Sequence, residues 1–211
     1  MTEISRVALF GKLNTLGYQA VESATVFCKM RGNPYVELIH WLNQVLQLQD
    51  SDIHKIIRHF DLDPSRVAKD FTDALDRLPR GSTSISDLSS HVEDAVERGW
   101  VYGTLMFGDS KVRTGHLIVG LLKTKGLAHE LFAMSGEFQK VKPDALSENF
   151  HDIVGGSPED ELSAKDGSAV GGGAAPGEAS GAMPAQMGGQ EALSQFTVDL
   201  TKEAEDGKID P

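Results

Sequence analysis

An internal repeat is the feature that most constrains the fold of this chain. At a shift of 76 residues, glycine, histidine and apolar positions coincide: Gly32 with Gly108, Val36 with Val112, His40 with His116, and Val45-Leu46 with Leu121-Leu122. At a shift of 79 residues, Pro64 coincides with Pro143, Val67 with Leu146 and Phe71 with Phe150. One small insertion explains the change of shift. The order of the matches predicts two similar units, about residues 9–77 and 85–155, joined by the loop 79–84.

Each unit has the apolar spacing of α-helices. Apolar residues recur at steps of three and four, the period of one helix face, and few β-branched residues alternate as they do in strands. The segment Gly32-Asn33-Pro34 predicts a helix end, and Asp63-Pro64 predicts a helix start. We therefore predict an all-α fold of two four-helix units. Each unit leaves one apolar face uncovered, so the units are expected to pack on each other about a pseudo-twofold axis.

The composition changes sharply near Gly155. All seven histidines and both tryptophans lie in residues 1–156, whereas residues 157–211 hold 3 basic and 11 acidic side chains, which supply −8 of the net charge of −11. We predict a folded domain over residues 1–156, followed by a Gly/Ala-rich, disordered flexible linker over residues 157–190. Residues 191–211 have too few apolar side chains to close a core, and are expected to begin a further domain or to dock elsewhere.

Several classes of protein are excluded by composition. The acidic balance argues against a nucleic-acid-binding surface, and no apolar run reaches the roughly 18–20 residues that cross a bilayer. The N-terminus lacks the layout of a secretory signal. The single cysteine, Cys28, forms neither an internal disulfide nor a thiolate zinc site, and its place on an apolar stripe predicts a core position. We expect a protein of the reducing cytosol, without nucleic-acid or membrane partners.

The sequence contains no motif typical of an enzyme. It has no GxxxxGK[ST] for phosphate binding, no GxSxG and no HExxH. His40 and His116 occupy equivalent repeat positions near helix starts, which favours a repeated structural role, hydrogen bonding to local backbone groups, over a paired catalytic or metal site. We therefore predict no catalytic residues, no metal ligands and no cofactor for this chain.

Binding by a surface groove remains as the predicted activity. Phe10 and Leu13 in the first unit, and Ile85 and Leu88 in the second, precede the better-matched repeat segments. Side chains in such positions are candidates for a partly exposed apolar lip on which a partner helix lays its apolar face. The alternative, that these four side chains simply close the core, is equally consistent with the sequence.

The segments FGKLN (10–14), RGNPYVELIHWL (31–42), GDSKVRTGHL (108–117) and LPRGSTSISDL (78–88) resemble the Clp N-terminal domain, the double four-helix repeat that precedes the ATPase modules of AAA+ unfoldases. In detail they resemble the ClpV branch, the ClpB-like ATPases of type VI secretion systems. QFTVDLT (195–201) and GKIDP (207–211) resemble the lead-in to the first ATPase module, which is missing from this chain.

The resemblance implies a substrate-recognition domain in the bacterial cytoplasm. The full-length protein is expected to be a hexamer that binds ATP and Mg²⁺, hydrolyses ATP and disassembles contracted secretion sheaths. Its N-terminal domain, expected to be a monomer when isolated, would bind an N-terminal helix of the large sheath subunit in a hydrophobic groove. Under this resemblance we assign that groove to Leu9, Phe10, Leu13, Ile85 and Leu88.

Three alternatives stay open. A general Clp or ClpB-type N-domain would bind adaptors or unfolded protein and would recognise many apolar segments weakly. A spacer or oligomerisation module would self-associate through residues 1–156. A stand-alone enzyme or metal protein with an unrecognised site has the least support from the sequence.

Overall fold

The structure, a computed structural model, describes residues 4–167. This part of the chain holds ten α-helices and two short strands. The α-helices are α1 (Arg6–Gly11), α2 (Thr15–Arg31), α3 (Leu38–Leu46), α4 (Asp52–His59), α5 (Pro64–Asp76), α6 (Ser90–Leu105), α7 (Thr114–Lys123), α8 (Lys125–Met134), α9 (Pro143–Glu148) and α10 (Phe150–Val154). The strands are β1 (Tyr35–Val36) and β2 (Asp87–Leu88), and 3₁₀ helices cover Gly136–Lys140 and Pro158–Glu161.

The prediction of an all-α fold is confirmed, with one two-residue parallel strand pair as the small exception. Helices α2–α5 form the first unit. Helices α6–α9 form the second, which also carries a 3₁₀ turn and the short α10. The largest helix-helix interfaces join α6 with α7 and α2 with α3, which are equivalent pairs in the two units.

Local sequence signals set several helix ends as predicted. Gly32 ends α2 in the left-handed conformation at φ 70°, and Gly108, its counterpart in the second unit, has φ 68°. The Asp63 side chain accepts hydrogen bonds from the first turn of α5. At the start of α2 the capping side chain is Asn14, which accepts from the amide of Gly17.

Both units contribute to one continuous apolar core. Its largest fully buried aromatic side chains are Trp41, Phe71, Phe138 and Phe150. Trp41 also donates from Nε1 to the Gly17 carbonyl at 3.1 Å, so its polar atom is paired. Cys28 is fully buried, as its stripe predicts, and burial raises the pKa of its thiol to about 12.

The folded part of the chain extends beyond the predicted boundary at residue 156. Ser157, Glu159 and Ala164 are buried, and the chain from 157 to 166 lies on the helical domain. The sequence-based boundary at residue 156 was therefore too early. The polar composition of residues 157–166 predicts a solvated segment, because it does not show that Glu159 finds hydrogen-bond donors inside the domain. The rest of the expected linker and the lead-in segment 191–211 lie outside the described residues.

Candidate functional site

The two units meet at two short backbone seams that are related by the repeat. At the first seam Leu13 pairs in parallel with Val112. At the second seam β1 pairs in parallel with β2, with Val36 opposite Leu88. In the repeat, Leu13 corresponds to Leu88 and Val36 to Val112. The segment before the long helix of each unit therefore pairs with the segment before the second helix of the other unit. This reciprocal exchange is the pseudo-twofold arrangement that the repeat predicts.

The hydrogen bonds of the seams match as closely as their residues. The amide of Asn14 donates to the Val112 carbonyl at 2.9 Å, and the equivalent amide of Ser89 donates to the Val36 carbonyl at 2.9 Å. Each of these donors immediately precedes a long helix, α2 or α6. The seams therefore fix where the two central helices begin.

The first seam is covered by the chain that follows α10, which we call the strap (residues 157–166). The amide of Thr15 donates to the Ser163 carbonyl at 3.2 Å. In return the amides of Lys165 and Asp166 donate to the carbonyls of Leu13 at 2.7 Å and Gly11 at 2.9 Å. The strap thus adds an antiparallel segment to the outer edge of the first seam.

The second seam is closed by a side chain instead. Arg6 of α1 donates from Nη1 to Asp87 at 2.7 Å and from Nε to Glu93 at 2.7 Å. Glu93 corresponds to Tyr18 in the first unit. Nζ of Lys165, a residue of the strap, lies 4.8 Å from the centroid of the Tyr18 ring. A basic residue therefore contacts equivalent positions at both seams. At the second seam it is Arg6, which precedes the first unit, and at the first seam it is Lys165, which follows the second unit.

A buried carboxylate anchors the strap. Glu159 is fully buried and accepts hydrogen bonds from the amide of Thr114 at 2.8 Å, its hydroxyl at 2.5 Å, the amide of Asp52 at 2.7 Å and the Asn14 side chain at 3.0 Å. These donors lie at the N-termini of α7, α4 and α2, where helix dipoles favour negative charge. Burial and the nearby Asp52 carboxylate outweigh these donors and raise the pKa of Glu159 to about 7.

A buried ion pair lies beside this carboxylate. Arg113 donates from Nε and Nη2 to both oxygens of Asp52 at 2.8 Å, and from Nη2 to Asp160 at 2.6 Å. Burial alone would lower the pKa of Arg113, but the hydrogen bonds and charge of Asp52 and Asp160 raise it. Lys111 donates to the carbonyls of residues 159, 160 and 162. The strap is therefore bonded through both its side chains and its backbone.

The equivalent histidines have the structural role that their repeated position predicts. Nδ1 of His40 accepts from the Glu37 amide at 2.9 Å, and Nδ1 of His116 accepts from the Arg113 amide at 3.1 Å. Burial, together with Arg31, lowers the pKa of His40 to about 4.

Their outer partners differ. Nε2 of His40 lies 2.8 Å from the Asn33 amide oxygen, and Nε2 of His116 lies 2.8 Å from the Asp109 carboxylate. Burial also lowers the pKa of His116, and Asp109 opposes that shift. Within residues 4–167, no group of three or more His, Cys, Asp or Glu side chains is placed to hold a metal ion.

The five predicted groove residues lie where α1 and the seams meet, but they do not form an exposed lip. Leu9, Phe10, Leu13 and Leu88 are buried, and Ile85 is partly buried against the core. In this conformation they help to close the core, which is the alternative that the sequence left open.

The exposed apolar side chains are different ones, which the sequence analysis did not select. Ile4 and Val7 lie on or beside α1, Met30 lies near the end of α2, and Leu105 lies at the equivalent end of α6. A cleft of about 190 Å³ also lies between the units, lined in part by Leu38, Ile39, Leu78 and Met134 with Arg77 and Glu130 at its side. Apolar periodicity alone does not distinguish such outward positions from core positions.

Comparison with known proteins identifies the architecture. Residues 12–135 match the family model described as the Clp repeat (R) N-terminal domain. The chain belongs to the Clp N-terminal domain family. This Clp N-terminal domain has no Walker motif in its sequence. None of the described helices is long and apolar enough to cross a membrane.

Its relatives come from two named groups. The AAA+ ATPase ClpV1 of Pseudomonas aeruginosa is 67% identical over 212 residues, which is 100% of this chain and 23% of ClpV1. A chaperone protein ClpB of Yersinia enterocolitica is 46% identical over 99% of this chain and 23% of its own length. The chain thus spans less than a quarter of the length of these relatives.

Solved structures show the same fold. One from a study of the ATPase ClpV, the TssB-TssC sheath and the accessory HsiE protein is 68% identical, with a TM-score of 0.74 over 76% of this chain and 99% of that one. The complex of a ClpV N-domain with a VipB peptide is 20% identical, with a TM-score of 0.64 over 73% of this chain and 94% of that one. The second likeness shows the fold alone.

Proposed function

We propose that this chain is the substrate-recognition domain of a ClpV-type AAA+ ATPase and that it binds a peptide of a type VI secretion sheath. The observation that carries the proposal is the 67% identity to ClpV1 along the whole chain. A ClpV N-domain of the same fold has been solved with a VipB peptide, which supports peptide binding as the activity of the fold. The partner proposed here is an N-terminal helix of the large sheath subunit.

We place the peptide-binding groove along α1, from the second seam to Leu13 of the first seam. Leu9, Phe10, Leu13, Ile85 and Leu88 would form its apolar floor. Most of these side chains are buried, so a peptide helix reaches them only after α1 has shifted away from α6. Such a shift exposes Leu9 and Phe10 and breaks the contacts of Arg6, so the bound helix has to bury an equivalent apolar area in their place.

The exposed face of α1 is the part of this surface that a partner meets first. Ile4 and Val7 are 62% and 60% exposed, and both flank Arg6, which reaches across to Asp87 and Glu93. An amphipathic helix would cover these two apolar side chains and place its polar residues near that charged group. Affinity in the micromolar range is expected, since several copies in a hexamer act together.

Peptide titration tests the proposed partner. A labelled peptide from the N-terminus of the large sheath subunit is titrated with the whole chain, and a scrambled peptide of the same composition is the control. Saturable binding that is lost on scrambling is the expected result. Absence of binding at several hundred micromolar, about −5 kcal/mol or weaker, would overturn the assigned partner.

A pair of exposed substitutions tests the proposed place. Val7→Glu puts a charge on α1, and Met30→Glu puts the same charge on the exposed end of α2, at 81% exposure. We expect Val7→Glu to weaken peptide binding at least tenfold and Met30→Glu to leave it unchanged, with both domains fully folded by circular dichroism. Equal effects of the two substitutions would contradict the α1 site.

The activity proposed for the full-length protein is that of a hexameric ATPase that uses ATP and Mg²⁺ to disassemble contracted sheaths in the bacterial cytoplasm. The isolated domain is proposed to be monomeric, with no nucleic-acid or membrane partner. The full-length protein, mixed with contracted sheaths, should shorten them only when ATP is present. Sheaths that lack the N-terminal helix should resist.

A second candidate function is that of a general chaperone N-domain, because the Yersinia relative at 46% identity is named ClpB. Such a domain binds many unfolded segments with similar weak affinity. A panel of unrelated apolar peptides separates the two functions: one preferred sheath peptide supports sheath recognition, and uniform weak binding supports the chaperone function.

A further inference from the structure

The strap is bonded to the domain in a different way from every helix that precedes it. Its buried residues are Ser157, Glu159 and Ala164, so Ala164 is its only buried apolar side chain. The helices, in contrast, contribute a continuous set of large apolar side chains to the core. Polar contacts made in place of water contribute little net free energy, whereas apolar burial contributes much.

One side chain, that of Glu159, makes most of the buried side-chain hydrogen bonds of the strap. The Glu159 carboxylate joins Asn14, Asp52 and Thr114, three residues that are far apart in the chain. Ser157 adds a bond to the same cluster by donating from its hydroxyl to Asp52 at 2.6 Å. Removing Glu159 leaves its four donor groups without their acceptor. The strap then keeps the bonds of Ser157 and Asp160, the Lys111 bonds and its backbone bonds at the first seam.

The desolvation of this carboxylate opposes docking. A buried acid next to a second buried carboxylate, Asp52, is held by its donors and by the charge of Lys111. The free energy of strap docking is therefore a balance between the hydrogen bonds that Glu159 gains and the desolvation that it suffers. The apolar core of the helices is formed without the strap. Segments held in this way open separately from the core.

We propose that residues 157–166 form a releasable strap, held closed by Glu159, whose detachment leaves the helical domain folded and extends the reach of the chain beyond residue 167. Once detached, the ten residues span up to about 33 Å when extended. Closed, they fix the exit of the chain at the first seam, beside the turn between α1 and α2. The distance from the helical domain to residue 167 is therefore short when the strap is closed and longer when it is detached.

Amide hydrogen exchange on the whole chain tests the proposal directly. The amides of Lys165 and Asp166 donate to Leu13 and Gly11 and report strap closure, while amides within α3 and α7 report the core. In the unaltered protein we expect the two strap amides to exchange faster than the core amides and with a weaker dependence on denaturant. Identical denaturant dependence at both places would overturn the proposal.

A matched pair of variants tests the role of Glu159. Glu159→Gln retains size but places an amide group among donors, whereas Glu161→Gln makes the same change at an exposed position of the same 3₁₀ helix. We expect Glu159→Gln to reduce protection of the Lys165 and Asp166 amides at least about tenfold, with core protection unchanged. Glu161→Gln should change neither.

The outcomes of this pair are decisive in both directions. Unchanged strap protection in Glu159→Gln, or loss of core protection by the same factor, would show that the strap is not a separate unit held by this residue. A second variant, Lys111→Met, removes the donor to the carbonyls of residues 159, 160 and 162. It should reduce protection at the same two amides and spare the core; global unfolding of both variants would also overturn the proposal.

Discussion

The two seams between the repeats contain equivalent residues, yet different parts of the chain close them. Leu13 and Val112 at the first seam correspond to Leu88 and Val36 at the second. The first seam is covered by the strap and a buried polar cluster around Glu159, whereas the second is covered by Arg6 at a partly exposed site. The repeat therefore dictates the pairing of the two units, and the segments outside the repeat dictate what surrounds each pairing.

The two seams therefore differ in how accessible they are to a partner. The first seam is enclosed by charged and polar groups that satisfy one another. The second lies beside a short helix with exposed apolar side chains, where we place the peptide-binding surface. One internal symmetry thus supports one closed edge and one edge near which a partner has room to bind.

The largest expected effect comes from breaking the polar cluster that only the first seam has. Arg113→Ala leaves the fully buried Asp52 carboxylate without its cation, and should lower the free energy of unfolding by about 3–5 kcal/mol. The equivalent position at the second seam is the half-buried Glu37, where the change to Ala should cost less than about 1 kcal/mol. Urea unfolding of the two variants measures the contrast, and equal costs would contradict it.

The seam residues themselves should behave alike. Leu13→Ala and Leu88→Ala each remove a buried side chain from equivalent places, so each should lower the free energy of unfolding by about 2–5 kcal/mol. Thermal and urea unfolding measure both. A cost below about 1 kcal/mol at either position would show that the seams do not share their packing.

A pH dependence should distinguish the strap from the second seam. The pKa of Glu159 is raised above its ordinary value to about 7, so its contribution to strap docking is fully present below about pH 4.5 and is lost as the pH rises through 7. Over this pH range the free energy of strap docking changes by a total on the order of 3 kcal/mol. Arg113, with its raised pKa, and Asp160, with its lowered pKa, stay charged throughout this window.

Hydrogen exchange at pH 5 and pH 8, corrected for the intrinsic rates, measures this effect. The Lys165 and Asp166 amides should be better protected at pH 5, and the dependence should disappear in Glu159→Gln. The Ser89 amide, which donates at the second seam, is the internal control and should not respond to that substitution. Persistence of the full dependence in the variant would assign it to another group.

The smallest effect concerns the equivalent histidines. Asn33→Asp gives His40 the carboxylate partner that His116 already has in Asp109, and should raise the pKa of His40 from about 4 by at least about one unit. Asp109→Asn should lower the pKa of His116. Titration of the ring protons by NMR measures both shifts, and no change in either would show that burial alone sets these pKa values.

Much of the helical frame was predictable because its signals are local. Gly32 adopts the left-handed conformation, Asp63 caps α5, and the two histidines accept from the backbone amides at the starts of α3 and α7. Each signal depends on residues within one helical turn of each other. Asn14 caps α2 in the same local way, by accepting from the amide of Gly17 three residues later.

The sequence by itself therefore determined the repeat, the helical class and the reciprocal packing of the two units, since these follow from periodicity and from residues close together in the chain. Only the tertiary structure decided that Phe10 and Leu88 are buried, because an apolar residue on a helix face has the same sequence pattern whether or not another element covers it. It alone placed Glu159 among donors from α2, α4 and α7. A carboxylate in a polar segment is expected in water, and only the convergence of three helix N-termini supplies the donors that allow it to be buried.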